Sequence, residues 1–275
     1  MSEPEQREQE LTDAAFWERE WSQVESHPAL VSTDYAPHLY GERGLYTRVL
    51  QRHLGSCDGV RVLEFGAGGP NMHLLALSKY LHADVAGIDY SPASLDQLTR
   101  LFELHGEPLH AIEGDFFTHD FGDDRFDLIV HWGVAEHFVD LVPFLRRCRE
   151  LLAPGGEMLF TMPNLEGIAR ATWSRWSPEN WSKHILHTEA DVSAAADRAG
   201  FAVKSHFRFG IPFVGPQSYE DTGRPAMLVA YLQRALARLP KVVPIFHAHG
   251  SRLLAGEQGF HLTQLETPPP SSSTP

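Results

Sequence analysis

The sequence predicts an α/β fold: a mostly parallel, seven-stranded sheet with helices on both faces, plus a helical insertion. Short apolar segments alternate with amphipathic helical segments through the middle of the chain, which is the pattern that yields a parallel sheet. Residues 126–132, FDLIVHW, are nearly all apolar, as is typical of a strand buried on both faces. Ligands of such sheets bind at the carboxyl ends of the strands, so we expect a functional site there.

Each predicted element follows from a local pattern. Strands are predicted where short apolar runs end at glycine or polar residues, at 60–65, 84–89, 110–115, 126–132, 157–163, within 188–209 and at 259–266. Helices are predicted where apolar residues recur at helical spacing, at 14–24, 41–54, 70–81, 91–106, about 141–152 and 225–239. Ser91 followed by Pro92 is a typical helix start.

One domain with a helical insertion explains this order of elements better than two domains. We expect five parts: an N-terminal helical extension (1–40), a core (41–163), an aromatic-rich insertion (164–187), the C-terminal part of the sheet with an extra helix (188–266) and a disordered tail (267–275). The first helix carries an aromatic stripe that includes Trp17 and Trp21. We expect this stripe to pack against the domain, and a lid over a ligand is the alternative.

The charge balance narrows the classes of partner. The 275 residues include 36 Asp and Glu against 23 Lys and Arg, which gives a formal net charge of −13. Because the sequence has no basic patch, this charge would repel polyanions, and neither nucleic acid nor an anionic membrane surface is an expected partner. We therefore expect a small-molecule ligand, and a monomer or a homodimer.

Cysteine and histidine usage gives no sign of a disulfide framework or a metal site. Cys57 and Cys148 stand outside any CxxC spacing, so we expect reduced, structural thiols. The sixteen histidines are scattered without an HExxH motif, and no metal is expected. The acidic, polar start of the sequence is unlike a signal peptide and no apolar run is long enough for a membrane span, so a cytoplasmic location is expected.

A glycine-rich turn follows the first strand in VLEFGAGGP, residues 62–70. The strand ends at Glu64 and Phe65, and the residues after it, Gly66, Ala67, Gly68 and Gly69, lead into a helix. Glycines occur where a backbone passes against a ligand or takes a positive φ. The third glycine of the dinucleotide-binding pattern would fall at position 71, which is asparagine, and this departure suits a ligand without a pyrophosphate.

Acidic residues end the first three predicted strands. Asp89 stands twenty residues after Gly69, the spacing at which an acid accepts hydrogen bonds from ribose hydroxyls. Asp115 ends the third strand, where it can accept from an adenine amino group while Phe116 or Phe117 lies against the ring. Taken alone, Asp89 could also cap a helix and Asp115 could be a turn residue. Together with Glu64, these acids indicate a ligand with a positive charge, a ribose and an adenine.

The ordered set of segments VLEFGAGGP, GIDYSP, EGDFF, RFDLIVHWGVAEHF and LLAPGGEMLFTMP resembles the successive motifs of class I S-adenosylmethionine-dependent methyltransferases. It is similar in particular to the group that modifies small metabolites and natural products. The resemblance covers about residues 40–165, and ADRAGFAVKSHFRF is similar to the family's segment after the fifth strand. It implies a Rossmann-like fold, S-adenosylmethionine as cofactor and methyl transfer to a small acceptor.

The resemblance also implies roles for individual residues. Glu64 and the turn Gly66, Ala67 and Gly68 would hold the methionine part of the cofactor. The ribose would be held by Asp89, with Tyr90 beside it, and the adenine by Asp115 and Phe116. His131 and Trp132 stand where the fourth-strand motif borders the cofactor. His131 fills a place often taken by a small residue, and Glu64 replaces the commoner aspartate.

The acceptor side of the site has weaker signals. The turn after the fourth strand offers His131, Glu136 and His137 as proton acceptors, and we take His137 as the candidate general base. The alternative for His137 is a capping and packing role. Trp173 and Trp176 of the insertion are candidates for lining the acceptor pocket, and the alternative is the ordinary core of a helical cap.

Three other functions compete with methyl transfer to a small molecule. The fold could bind the cofactor without methyl transfer, as a cyclase or a binding module. A nicotinamide-dependent oxidoreductase is disfavoured by Asn71 and by the lack of a Tyr-x-x-x-Lys pair. A DNA methyltransferase is disfavoured by the net charge and by the absence of an Asn/Asp-Pro-Pro-Tyr motif after the fourth strand. The sequence does not identify the acceptor atom.

Overall fold

The computed structural model describes residues 11–12, 14–24, 37–212, 228, 231–232, 235–236, 238–239, 247 and 249–265. Most of the predicted helix at 225–239 and all of the predicted tail at 267–275 lie outside these residues. Among the described residues, no helix is both long enough and apolar enough to cross a membrane.

The elements alternate as the sequence predicts. The helices are α1 (Ala14–Val24), α2 (Pro37–Tyr40), α3 (Leu45–Leu54), α4 (Met72–Leu81), α5 (Pro92–His105), α6 (Leu141–Leu151), α7 (Ala169–Trp176), α8 (Pro178–Ser182) and α9 (Glu189–Ala199). The strands are β1 (Arg61–Phe65), β2 (Asp84–Asp89), β3 (His110–Glu113), β4 (Phe126–Trp132), β5 (Leu152–Pro163), β6 (Phe201–Phe209) and β7 (Glu257–Gln264). A short 3₁₀ turn, Ala135–His137, follows β4.

The seven strands form one sheet in the order β3-β2-β1-β4-β5-β7-β6. The first five are parallel, and β7 runs antiparallel to both of its neighbours, β5 and β6. The predicted Rossmann-like, mostly parallel seven-stranded sheet is confirmed. The strand order changes direction between β1 and β4, so a crevice opens at the carboxyl ends of these two strands.

Some element boundaries differ from the predicted ones by a few residues. Strand β3 ends at Glu113, so Asp115 lies in the loop after it rather than at its end. Strand β7 begins two residues earlier than predicted, and β5 begins five residues earlier, at Leu152. The insertion is helical, as expected, and forms two short helices, α7 and α8. Element boundaries depend on local hydrogen bonds that apolar periodicity does not show.

Two side-chain caps begin the helices that face the crevice. The Asn71 side chain accepts a hydrogen bond from the Leu74 amide at the start of α4, at 2.9 Å. The Ser91 hydroxyl accepts one from the Ser94 amide at the start of α5, at 3.2 Å, as the Ser-Pro sequence predicts. These caps set where the chain leaves the loops after β1 and β2.

The core consists of two clusters of buried apolar side chains, one on each face of the sheet. One cluster joins the sheet to α6 and α9 and contains Phe144 and Cys148. The other joins it to α3, α4 and α5 and contains Leu98 and Cys57. Both cysteines are buried free thiols, as expected. With apolar packing on both faces, the strands are rigid supports for the loops at their carboxyl ends.

Truncating the first cluster should cost much of the protein's stability. Phe144 is fully buried on α6, so Phe144→Ala should lower the free energy of unfolding by about 3–5 kcal/mol. Urea denaturation measures this change. Leu104→Ala on α5, where the side chain is 58% exposed, is the control and should change it by about 0.5 kcal/mol or less. Equal effects of the two substitutions would contradict this description of the core.

Candidate active site

A cavity of about 480 Å³ lies at the carboxyl ends of β1, β2, β3 and β4. Its walls come from the loops that follow these strands, at residues between 65 and 73, 88–90, 114–117 and between 132 and 138. Thr12, Trp17 and Tyr40 complete the wall from the N-terminal part of the chain. This volume is within the range of small-molecule sites, and the position is the crevice that the strand order creates.

The glycine turn lets the backbone approach Asp89 closely. Gly66 and Gly68 both line the cavity, and Gly66 has a φ of 62°. A Cβ on Gly68 would stand 2.1 Å from the Ser94 hydroxyl and 2.8 Å from a carboxylate oxygen of Asp89, so no larger residue fits without displacing both groups. Ala67 is fully buried and is not part of the cavity wall; its amide donates to the Ile88 carbonyl at 3.2 Å. Ala67 therefore joins the turn to β2.

Glu64 is a buried carboxyl group behind the glycine turn. One of its oxygens accepts a hydrogen bond from the Asn71 side-chain amide at 2.6 Å, and the other has no partner among the described residues. Burial raises the pKa of Glu64 to about 8, although the Asn71 hydrogen bond opposes the shift. Asn71, and not Glu64, is in the cavity wall. A cationic ligand group near Asn71 would favour the ionised form of Glu64.

Asp89 lies in the cavity wall with Tyr90 after it. Burial raises the pKa of Asp89 to about 6, while hydrogen bonds from backbone amides lower it, including one from Ser91 at 2.8 Å. The cap of α5 is Ser91, so Asp89 is not needed for that role. The Ser91 hydroxyl also donates to the carboxylate of Glu18 in α1, which brings α1 over this side of the cavity.

Asp115 and Phe116 line the cavity after β3. One Asp115 oxygen accepts a hydrogen bond from the Phe117 amide at 2.8 Å, so Asp115 is also the turn residue that the alternative interpretation proposes. The Phe116 ring stacks on Phe65, with centroids 4.3 Å apart. Phe116 and Phe117 thus provide an apolar wall for a planar group beside the Asp115 carboxylate.

The structure corrects the expected position of His131. Its imidazole is fully buried, stacked on Phe160 at 4.8 Å and in contact with Phe144, and it is not in the cavity wall. Burial lowers the pKa of His131 to about 3, so the ring is a neutral core group. Successive residues of a strand point to opposite faces, and here it is Trp132, stacked on His73 of α4, that reaches the cavity.

His137 lines the cavity from the 3₁₀ turn. Its Nδ1 donates a hydrogen bond to the Lys183 carbonyl at 2.7 Å, and its ring lies edge-on to Trp17, with centroids 5.3 Å apart. Burial lowers the pKa of His137 to about 3, and the neighbouring His184 lowers it further. Because Nδ1 carries the proton of the neutral ring, Nε2 has a free lone pair that can accept another proton.

The two tryptophans predicted to line the acceptor pocket do not reach the cavity wall. Trp173 is buried in a separate small cluster of apolar residues, and the cavity wall contains neither Trp173 nor Trp176. The structure thus supports the alternative interpretation, the core of a helical cap. Trp17 and Trp132 line the cavity instead, so Trp17 of α1 both packs against the His137 ring and forms part of the cavity wall.

Sequence reasoning also missed Tyr40 and His73. His73 lines the cavity, packs edge-on against Tyr40 and Tyr46, and its Nε2 has no partner among the described residues. His73 belongs to a helix whose periodicity predicts only that it is amphipathic, and Tyr40 lies in a four-residue helix that no periodicity predicts. Asn71 also lines the cavity, and its usable signal is that an asparagine after a glycine turn is a typical helix cap.

A group of three side chains in the described part of the chain could hold a metal ion. Glu136, His137 and His184 each offer one ligand atom, and these atoms lie within 4.8 Å of one another. The Glu136 carboxyl is buried, and one of its oxygens has no partner among the described residues. That no metal is needed therefore stays a prediction.

Comparison with known proteins identifies the family. A family model described as a methyltransferase domain matches residues 38–206, which is more than half of the chain. The chain belongs to this methyltransferase family. The match begins near Tyr40 and ends in β6, so it includes every loop that lines the cavity at the carboxyl ends of the strands.

Curated relatives in this methyltransferase family match over part of their length. A ubiquinone biosynthesis O-methyltransferase of Cereibacter sphaeroides is 33% identical over 147 residues, which are 48% of this chain and 57% of that protein. One from Azorhizobium caulinodans is 29% identical over 175 residues, which are 58% of this chain and 68% of that protein. The chain thus spans a little over half the length of the first relative.

A solved structure shows the same fold. The crystal structure of an S-adenosylmethionine-dependent methyltransferase from Mesorhizobium loti matches with a TM-score of 0.51 and 19% identity. The match covers 80% of this chain and 98% of that one. At this identity the likeness concerns the fold, and it agrees with the sheet and the family assignment.

The raised pKa of Glu64 predicts a pH-dependent cost to stability. Because the folded chain holds the proton up to about pH 8 while the unfolded chain releases it above about pH 4.5, stability should fall as pH rises through this window. Glu64→Gln keeps the acceptor for Asn71 and should raise the melting temperature more at pH 8 than at pH 5.

Differential scanning calorimetry at several pH values measures this difference. Glu113→Gln is the control, since Glu113 is exposed and should give the same melting temperature as the unchanged protein at each pH. A Glu64→Gln effect that is independent of pH would contradict the burial-based shift.

Proposed function

We propose that this chain is an S-adenosylmethionine-dependent methyltransferase that transfers the methyl group to an oxygen atom of a small acceptor. The observation that carries the proposal is that one cavity is lined by the glycine turn, by Asp89 and Asp115, and by His137. The glycine turn, Asp89 and Asp115 suit a cationic adenosyl ligand, and His137 suits an acceptor that must lose a proton. The net charge of −13 agrees with a small acceptor rather than a nucleic acid.

The cavity fits the cofactor group by group. The bare backbone at Gly66 and Gly68 leaves room for the methionine part, and the unpartnered oxygen of Glu64 can complement its ammonium group together with Asn71. Asp89 offers a carboxylate for the ribose hydroxyls. Asp115 would accept from the adenine amino group, with the Phe116 and Phe117 wall beside the ring.

The cofactor supplies a methyl group bound to a sulfonium sulfur. Once the methyl group is transferred, the rest of the cofactor is a neutral thioether. The protein must align the acceptor with this methyl group, exclude water and remove the acceptor's proton. The aromatic residues Trp17, Tyr40 and Trp132 line the cavity and would exclude water, and the Trp17 ring packs against His137. Nε2 of His137 accepts the hydroxyl proton as the new carbon–oxygen bond forms.

An oxygen acceptor is supported by the relatives, which are named O-methyltransferases, and by the state of His137. A hydroxyl group has a proton to lose, and His137, which burial keeps neutral, has an unprotonated nitrogen that can accept it; the same burial weakens His137 as a base. The ordinary packing role of His137 does not conflict with this, because the same hydrogen bond that holds the ring also leaves Nε2 free.

Binding of S-adenosylhomocysteine should depend on Asp89. Removing the charge with Asp89→Asn weakens the hydrogen bonds to the ribose, so the affinity should fall about 10- to 100-fold, as expected for the loss of about 1.5–3 kcal/mol from charged hydrogen bonds. Isothermal titration calorimetry measures it. Asp96→Asn, an exposed position on α5, is the control and should bind as the unchanged protein does. Equal affinities for both variants would exclude this role.

Transfer of radiolabelled methyl groups to a panel of hydroxylated aromatic compounds tests the activity. With the acceptor found, His137→Gln should lower kcat by about 10²- to 10⁴-fold, since general base catalysis contributes about that much, while cofactor affinity changes little. Full turnover by the variant would refute the role of His137. Tight cofactor binding without label transfer to any compound would support the alternative, a protein that binds the cofactor without methyl transfer.

A further inference from the structure

The second half of the insertion is hydrogen-bonded along the turn that carries His137. The Lys183 carbonyl accepts from Nδ1 of His137 at 2.7 Å, and the Ile185 amide donates to the Glu136 carbonyl at 2.6 Å. His187 donates from Nε2 to the Phe138 carbonyl at 2.9 Å. Each residue from 136 to 138 therefore has a hydrogen-bond partner in the insertion. The insertion thus contacts the cavity wall at this turn, even though its Trp173 and Trp176 do not line the cavity.

His184 connects the buried core of the insertion with His137. Its Nδ1 donates to the Asn180 carbonyl at 2.6 Å, which holds the ring in place. One contact of the ring is with His137, with centroids 4.7 Å apart, and another is with the edge of Trp173 at 5.2 Å. Trp173 is itself buried, so a continuous series of packed rings runs from the insertion core to the cavity wall.

This arrangement can fix both the proton position and the orientation of His137. A neutral imidazole carries one N–H, and the Lys183 carbonyl, which can only accept, requires that this proton be on Nδ1. A base whose second nitrogen is held by another group is a recurring arrangement in enzymes that remove a proton from a hydroxyl. Here a backbone carbonyl holds that nitrogen, and the His184 ring limits the rotation of the His137 ring.

We propose that the insertion is a positioning element for His137, in which the Lys183 carbonyl fixes the tautomer and His184 is the positioning residue for the ring. The inference rests on the proposed function, in which His137 is the general base. It assigns to residues 180–187 a role in catalysis that acts through His137, without contact with the acceptor.

The charges around His137 agree with this role. Burial is the main cause of its lowered pKa, and His184 lowers the pKa further; the hydrogen bond to the Lys183 carbonyl raises it, and the charge of Lys183 lowers it. Glu136 of the same turn is buried, and burial raises the pKa of its carboxyl to about 8. The N-terminal part contributes the Trp17 ring and the Leu11 amide, which donates to the His137 carbonyl, and neither group titrates.

Long-range ¹H–¹⁵N NMR on the full chain, labelled in its histidine rings, tests the inference without any acceptor or cofactor. In the unchanged protein, His137 should be neutral with its proton on Nδ1 from pH 8 down to about pH 5. In His184→Ala the His137 ring can rotate away from the Lys183 carbonyl, so His137 should show a mixture of tautomers and should titrate at higher pH. His184→Asn, whose side-chain amide can still donate to the Asn180 carbonyl, should lie closer to the unchanged protein.

Kinetics with the acceptor found by the label assay give the second readout. His184→Ala should lower kcat about 10- to 100-fold, the scale of a misplaced catalytic group, while the acceptor KM and the affinity for S-adenosylhomocysteine stay within about 3-fold. His184→Asn should recover part of kcat. Trp176→Phe is the matched control, since Trp176 is on the same insertion but outside the buried cluster, and it should leave all these values unchanged.

Two results would overturn the inference. The first is a folded His184→Ala or His184→Asn variant in which the tautomer, the titration of His137 and kcat all equal those of the unchanged protein. The second is stoichiometric binding of Zn²⁺ or Mg²⁺ that is lost in both His137 and His184 variants, because His184 would then be a metal ligand. If His137→Gln is fully active while the NMR result is as expected, the role of His137 as general base fails, and the insertion positions His137 without acting in catalysis.

Discussion

The close contact between the glycine turn after β1 and Asp89 at the end of β2 is the constraint on which the site depends. Gly68 has no room for a Cβ because the Ser94 hydroxyl and the Asp89 carboxylate lie against it, and the Ala67 amide donates a hydrogen bond to the Ile88 carbonyl. The contact brings the bare backbone and the carboxylate to the same cavity. Parallel pairing of β1 with β2 and β4 then puts the loops that carry Asp89 and His137 on the same side.

The ionisable groups of the site also have burial in common. Glu64 and Asp89 have raised pKa values and His137 a lowered one, in each case mainly because the protein interior disfavours the charged form. A cationic ligand would reverse this effect for the two acids and leave His137 neutral. The site therefore brings carboxyl groups that a cation can ionise close to a neutral imidazole, which agrees with the proposed methyl transfer from a sulfonium.

The sequence predicted the features that depend on local patterns and missed those that depend on distant contacts. The strands, the glycine turn, Asp89 and the Ser91 cap follow from periodicity and turn chemistry over a few residues. His131 was misplaced because both faces of β4 are buried, so apolarity does not show which of two adjacent residues faces the cavity. Trp17, Tyr40 and His73 come together in the cavity wall through packing between segments far apart in sequence. The ring contacts that lead from Trp173 through His184 to His137 depend on such packing as well.

The central claim is that one cavity places the cofactor's sulfur beside the free nitrogen of His137. A crystal structure of the full chain with S-adenosylhomocysteine tests it most directly. We expect the ribose hydroxyls on the Asp89 carboxylate, the adenine beside Asp115 and Phe116, and the sulfur facing the space next to Nε2 of His137. A ligand bound in another part of the molecule, or a sulfur directed away from His137 with the ribose not bound to Asp89, would contradict the account.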